Sequence, residues 1–153
     1  MTLFHVMLFV HILASMVWIG GAFMTMLVGS ALRSRGDAPQ LATYCAVLNR
    51  LSAPVFGAAA LLVLATGVWM VIDSPAYDFS AMWISIGFTG WFLSSVLGTI
   101  LMARAWGRVG TALEQPGATI AANDALLTRA NVISWIDLLV RVAVVLVMVW
   151  RPT

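Results

Sequence analysis

Four long apolar stretches dominate the pattern of hydrophobic and polar positions along the chain. Residues 1–32, 51–72 and 79–103 contain no Asp, Glu, Lys or Arg, and residues 130–150 contain only Asp137 and Arg141. Because about 20 apolar residues in a helix cross a hydrocarbon core of about 30 Å, each stretch is long enough to span a membrane. We therefore predict spans at approximately residues 3–32, 51–72, 80–104 and 130–150.

Short connections separate these stretches. The first lies at Gly36 to Pro39, where glycine and proline break the helical pattern, and Asp73 to Tyr77 forms a short acidic turn. Gly107 to Asn123 is predicted as a longer polar connection. None of them has room for a soluble domain. The expected fold is all-α, a four-transmembrane-helix bundle forming one integral membrane domain over residues 1–153.

The second helix is predicted to begin before its membrane span. Apolar side chains recur there at helical spacing, at Leu41, Tyr44, Cys45, Leu48 and Leu51. Pro54 follows and is expected to kink the helix near its entry into lipid. In the third helix Gly90, Ser94 and Gly98 recur every fourth residue, which predicts a small face for close packing against a neighbour.

The distribution of arginine predicts the orientation. The first and third connections and the residues flanking them hold Arg33, Arg35, Arg50, Arg104, Arg108 and Arg129, whereas the middle one holds only Asp73 and Asp78. Since basic residues in short loops stay on the cytoplasmic side, both termini are expected on the outer side. The expected location is the bacterial inner (plasma) membrane, with the lipid bilayer as the first partner.

Composition supports the membrane class. Hydrophobic residues make up 62% of the chain and charged residues 9%, against about 25% charged in an average soluble domain. The net charge of +2 is small, and the basic residues do not form the clustered surface that nucleic acid requires. We therefore expect no nucleic-acid partner.

Two charges fall inside the fourth span. Asp137 and Arg141 are four residues apart and can pair on one helical face, which lowers the cost of holding both in lipid. Either the pair is neutralised within the bundle, or Arg141 also binds an acidic ligand group such as a propionate. Counting about 1.5 Å per residue from the helix ends places His11 and Arg141 at similar depths.

A histidine stripe marks the first helix. Met7, His11 and Trp18 share one face, and neutral imidazole is a common ligand for iron, copper and zinc. The alternative is a His11 that only hydrogen-bonds a neighbouring helix. His5 lies about 120° around the helix from His11 and near the outer interface, so both cannot hold one metal. His5 is expected to be solvated or to serve metal uptake.

These residues limit the cofactor alternatives. Haem held by two histidines of one chain is excluded because the second to fourth helices contain none. Haem in a monomer would be five-coordinate or have a second ligand other than histidine, whereas a homodimer supplies a second His11. Met7 and His11 instead offer a thioether and an imidazole, which suit Cu(I).

Residues 11–23 read HILASMVWIGGAF, in which His11, Trp18, Gly21 and Phe23 match a first-helix signature. This signature resembles that of the CopD-type copper-resistance membrane proteins and the HemJ-type protoporphyrinogen oxidases. Similarity continues through residues 51–67, Arg129, Asn131 and the closing VMVWRP. The resemblance implies a compact four-helix membrane protein whose His11 corresponds to the histidine associated with haem b.

The chain departs from the HemJ-type pattern at three positions. Gly87 stands where those proteins carry a lysine, and Val132 and Ser134 replace an acid and a proline. These departures argue against porphyrinogen oxidation itself. CopD-type members usually have more helices or a copper-binding partner domain.

The leading hypothesis is a membrane protein that binds haem b through His11, with Trp18, Asp137 and Arg141 at the cofactor. Its expected role is electron transfer or porphyrin-related redox chemistry, which includes a haem-dependent membrane oxidoreductase working with a membrane redox partner. The second hypothesis is copper binding or transport through His5, Met7 and His11. The third is a non-catalytic membrane subunit or scaffold that uses the small face of the third helix.

Overall fold

Four long helices make up the computed structural model, which describes residues 2–151 except for the side chain of Thr99. They are α1 (Leu3–Arg35), α2 (Ala38–Asp73), α3 (Met82–Leu113) and α4 (Ala121–Trp150). Each is long and apolar enough to cross a membrane, by length and composition. The predicted all-α architecture with four membrane-spanning helices is confirmed.

Contacts at the two ends of the bundle show that successive helices are antiparallel. At one end Arg33, near the end of α1, pairs with Asp124 at the start of α4. At the other end the Arg151 guanidinium lies 5.3 Å from the ring centre of Tyr77 and 5.4 Å from that of Trp83. The two chain termini and the connection between α2 and α3 therefore share one end. We refer to the Arg33 end and the Arg151 end.

The turn between α1 and α2 follows from three residues. Gly36 ends α1 in the left-handed conformation with φ of 74°, where glycine has no Cβ to clash. Asp37 then caps α2, since its side chain accepts a hydrogen bond from the backbone N–H of Gln40 at 3.0 Å. Pro39 lies in the first turn, where its missing N–H costs nothing. As predicted, α2 begins well before its membrane span.

Pro54 lies in a π-helical segment of α2, Ser52–Gly57. Proline has no N–H to donate and its ring clashes with the carbonyl four residues earlier. A wider helical turn accommodates this locally without ending the helix. Where the sequence predicts a kink at Pro54, the structure has a π-helical turn inside one continuous helix.

The predicted connection at Gly107 to Asn123 is too long at its start, because α3 continues to Leu113. Trp106, Val109 and Leu113 are buried on one side of this extra segment, and they pack in the same core cluster as Leu41 and Cys45 of α2. Their spacing of three and four residues is helical, but Arg104 before them and Arg108 among them give the segment a polar appearance.

With this extra segment, the helices are longer than a hydrocarbon core is thick. At about 1.5 Å per residue, the 36 residues of α2 extend roughly 54 Å, whereas the hydrocarbon core is about 30 Å thick. The segments Ala38–Leu51 and Ala103–Leu113 form a helical extension at the Arg33 end with its own apolar core.

The predicted small face of α3 packs against α4. A Cβ added at Gly90 would lie 2.3 Å from Cγ2 of Val144, and one at Gly98 would lie 3.1 Å from Nη2 of Arg141. The close approach of the two helices therefore depends on these glycines. The small face is used inside the chain.

Two adjacent glycines of α1 should respond differently to substitution. A Cβ at Gly21 would lie 2.2 Å from Cε1 of the Phe56 ring, whereas one at Gly20 has nothing within 4 Å. We expect Gly21→Ala to lower the free energy of unfolding by about 1–3 kcal/mol through overpacking, and Gly20→Ala to leave it unchanged or slightly raised. Denaturation in detergent micelles measures both, and equal stability of the two variants would contradict this packing.

Candidate functional site

His11 is held against α2 by a hydrogen bond that determines its tautomer. Its Nδ1 lies 2.9 Å from Oγ1 of Thr66. The Thr66 hydroxyl lies 2.5 Å from the carbonyl oxygen of Leu62 and donates its one hydrogen there. A Thr66 hydroxyl that donates to Leu62 accepts from His11, and in this arrangement Nδ1 carries the proton and Nε2 keeps a lone pair. That lone pair makes Nε2 a potential metal ligand.

The surroundings of His11 allow this close contact. A Cβ added at Gly67 would lie 3.3 Å from Cε1 of His11, so the glycine leaves the imidazole room against the helix. Met7 and His11 are half-buried and Trp18 is buried, which places the predicted stripe on the inward side of α1. The hydrogen bond to α2 that was the alternative explanation for His11 is therefore present, and it leaves Nε2 available.

His5 lies apart from this stripe. It is exposed in the first turn of α1, where its Nδ1 is 2.5 Å from Oγ1 of Thr2. Its ring meets the edge of Phe4. The structure thus places His5 at the Arg151 end, as expected for an interfacial residue, and its role in metal uptake stays a prediction.

A second polar site lies deep in the bundle around Arg141. The Arg141 Nε donates to the Ser94 hydroxyl at 2.9 Å, and Nη1 donates to the backbone carbonyl of Trp18 at 2.5 Å. The guanidinium carbon also lies 4.5 Å from the centre of the Trp18 ring, in a cation–π contact. Arg141 therefore connects α4 to both α1 and α3. We call Ser94, Asp137 and Arg141 the buried polar cluster.

Asp137 supplies the opposite charge in this cluster. Its Oδ1 accepts a hydrogen bond from the Ser94 hydroxyl at 2.5 Å. Its Oδ2 lies 2.6 Å from Nη2 of Arg141, an ion pair in which the N–H is not aligned for a hydrogen bond. Asp137 is fully buried and Arg141 nearly so. The predicted pairing of the two residues is confirmed.

The backbone of α3 changes conformation next to this cluster. The π-helical segment Leu97–Met102 begins one turn after Ser94 and contains Gly98, which leaves room for the Arg141 guanidinium. π-helical turns inside long helices occur frequently at functional sites. The cluster thus coincides with the second irregular segment of the bundle.

A comparison with protein families identifies the class of the molecule. Residues 5–152 match the family described as "Predicted integral membrane protein (DUF2269)". The chain belongs to this family. No curated protein and no solved structure matches it. Membership of DUF2269 agrees with the four membrane-length helices and establishes an integral membrane protein.

In this DUF2269 protein, His11 and Arg141 do not lie at one level. Arg141 contacts Trp18, which follows His11 by seven residues, or about 10 Å along α1. Side chains lean toward the N-terminus of their own helix, and α4 begins at the Arg33 end, so Arg141 reaches away from His11. The similar depth expected from counting residues along the helices therefore does not bring the two side chains together.

The two polar sites differ in what they can bind. Each nitrogen of Arg141 already has a partner within the protein and the side chain is buried, so an external acid could reach it only if the surrounding side chains moved. Within residues 2–151, no group of three or more His, Cys, Asp or Glu side chains could hold a metal ion. His11 could therefore supply only one ligand to a metal. Any metal bound there would need other ligands, such as those of a cofactor.

Two residues of these sites were missing from the sequence interpretation. Thr66 lies within an apolar run, where a threonine can simply bond its own helix backbone, and nothing in the sequence indicated that it also meets His11. Ser94 was recognised only as a small residue. Its exact four-residue spacing from Gly90 and Gly98 indicated the correct face but not its two polar contacts.

Proposed function

We propose that this integral membrane protein binds haem b through Nε2 of His11 and takes part in electron transfer or porphyrin-related redox chemistry. The observation that carries the proposal is the hydrogen bond between His11 Nδ1 and Thr66, which leaves the Nε2 lone pair free. A partner on the other ring nitrogen is the usual arrangement for a metal-binding histidine, because it fixes the ring and increases its basicity.

The residues present fit haem as a single axial ligand per chain. Bound haem would supply a one-electron redox centre, while His11 would orient it through the Thr66 contact. The only other histidine is His5, in an exposed first turn. Haem in a monomer would therefore have His11 as its one histidine ligand, alone or together with a ligand other than histidine, and a homodimer would supply a second His11. Binding of a propionate by Arg141 belongs to the same proposal and requires exchange of one of its present partners.

Copper binding is the second candidate function. Met7 lies one turn before His11 on the same helical face, and both are half-buried. A thioether and the free Nε2 lone pair form a donor pair suited to Cu(I). If the protein binds copper, His5 would contact the metal before Met7 and His11 do, because it lies closer to the Arg151 end. A scaffold role has less support, because the small face of α3 is occupied by α4.

An absorbance spectrum of the purified protein separates the two candidates. After expression with a supply of haem precursor, we expect a Soret band that shifts on reduction with dithionite. Copper is measured on the same preparation by elemental analysis, with Met7→Ala as the comparison. A colourless protein would reject haem binding, and equal, near-zero copper in the wild type and Met7→Ala would reject the copper alternative.

A further inference from the structure

A polar stripe runs along the outside of α3 in the extension at the Arg33 end. Arg104, Arg108, Thr111 and Gln115 recur at intervals of three and four residues, and α3 presents the first three on one face that continues to Gln115. They line a shallow groove together with the small residues Gly107 and Ala112. The stripe contains hydrogen-bond donors and no acidic side chain.

The two arginines of this stripe are free to bind a ligand. Both are exposed, and within the part of the chain that the structure describes neither guanidinium has a hydrogen-bond or ion-pair partner. Arg33 and Arg141, in contrast, are paired with Asp124 and Asp137. Two unpaired guanidinium groups one helical turn apart can hold an anion between them through several charge-assisted hydrogen bonds.

The depth of the stripe indicates which anion is present there. Counting about 20 membrane-spanning residues from Met82 ends the hydrocarbon segment near Leu101. Arg104 then lies about 5 Å and Arg108 about 10 Å beyond it. Headgroups occupy about 5–7 Å on each side of the hydrocarbon core. Both guanidinium groups can therefore reach the lipid phosphates.

We propose that Arg104 and Arg108 form a binding site for the phosphate group of an anionic phospholipid. Thr111 and Gln115 extend the groove away from the bilayer, next to the rest of the headgroup. A Cβ added at Gly107 would lie 3.4 Å from Nδ2 of Asn49, so this glycine borders α2 at the edge of the groove. A bidentate guanidinium matches the geometry of phosphate oxygens better than a lysine ammonium does, and every basic residue of the chain is arginine.

The test measures lipid binding to the full-length protein in nanodiscs of phosphatidylcholine with increasing phosphatidylglycerol. Retained phosphatidylglycerol is counted by native mass spectrometry after mild release. We expect Arg104→Gln/Arg108→Gln to weaken retention by about thirtyfold, from about 1 kcal/mol for each basic residue at an anionic surface. The matched control, Arg35→Gln/Arg129→Gln, removes the same charge from exposed positions on α1 and α4. It should weaken retention clearly less than the first variant, because these two arginines do not lie one turn apart on one helical face and so cannot hold one phosphate together.

Two further arms distinguish the source of the phosphate. Inorganic phosphate and glycerol 3-phosphate are added to the same nanodiscs, and neither should displace the lipid at millimolar concentration. Arg104→Lys/Arg108→Lys keeps both charges and should still lose part of the retention. Equal losses in the two glutamine variants would overturn the proposal, as would displacement by the soluble phosphates. Circular dichroism of each variant confirms that the helices are retained.

Discussion

Asp137→Asn is expected to lower the free energy of unfolding by about 3–5 kcal/mol, because it removes the charge partner of a buried arginine. Arg141 would keep the neutral oxygens of Ser94 and Trp18 but would have no counter-charge at Nη2. Burial prevents water from replacing the lost carboxylate. The measurement is unfolding by sodium dodecyl sulfate in mixed micelles, followed by circular dichroism.

Two control variants separate the loss of a charge partner from the loss of a side chain. Asp137→Leu/Arg141→Met removes both charges with similar volume and should be markedly more stable than Asp137→Asn, since no uncompensated charge remains. Asp124→Asn breaks the exposed pair with Arg33 and should cost about 0–1 kcal/mol. If Asp137→Asn lowered the free energy of unfolding no more than Asp124→Asn does, the buried polar cluster would not stabilise the bundle.

His11→Ala is expected to abolish the Soret band of the purified protein, because it removes the axial nitrogen that we assign to haem. His5→Ala is the matched control, since it deletes the other histidine of the same helix from an exposed first turn. It should leave the band intact. Spectra of both variants are compared at equal protein concentration after the same haem supply. An undiminished band in His11→Ala would contradict the assignment.

The Thr66 contact provides a second measurement on the same site. Thr66→Val keeps the shape of the side chain but removes the hydroxyl that lies 2.9 Å from Nδ1 of His11. Partners of this kind typically change metal affinity by about 10–100-fold. We expect Thr66→Val to retain less haem than the wild type and Thr66→Ser to restore it. Equal haem retention in the wild type, Thr66→Val and Thr66→Ser would contradict the role of Thr66. It would not contradict haem binding by His11, which the His11→Ala spectrum tests separately.

The helical extension at the Arg33 end shows where pattern alone is insufficient. The spacing of Trp106, Val109 and Leu113 is helical, yet Arg108 lies among them and Gly107 and Gly110 break up the apolar pattern, which suggests a loop. Only the facing surface of α2, with Leu41 and Cys45 fully buried, explains why this segment stays helical. Tertiary packing of an apolar face stabilises such a helix more than its own composition does.

The sequence by itself determined the number of membrane-length helices and the pairing of Asp137 with Arg141. These follow from local rules, namely the length of apolar runs, the positions of glycine and proline, and the spacing of four residues along one helix. It also indicated His11 as the histidine of interest, from its position on the inward face of α1.

Only the tertiary structure decided which groups meet across helices. The contact of His11 with Thr66 joins residues that are 55 positions apart, and that of Arg141 with Trp18 joins residues 123 apart. Such pairs depend on the relative rotation and depth of two helices and on the reach of a long side chain, and neither is encoded in the spacing along one helix. For that reason the sequence indicated the two sites, while the structure separated them and showed that His11 Nδ1 meets Thr66.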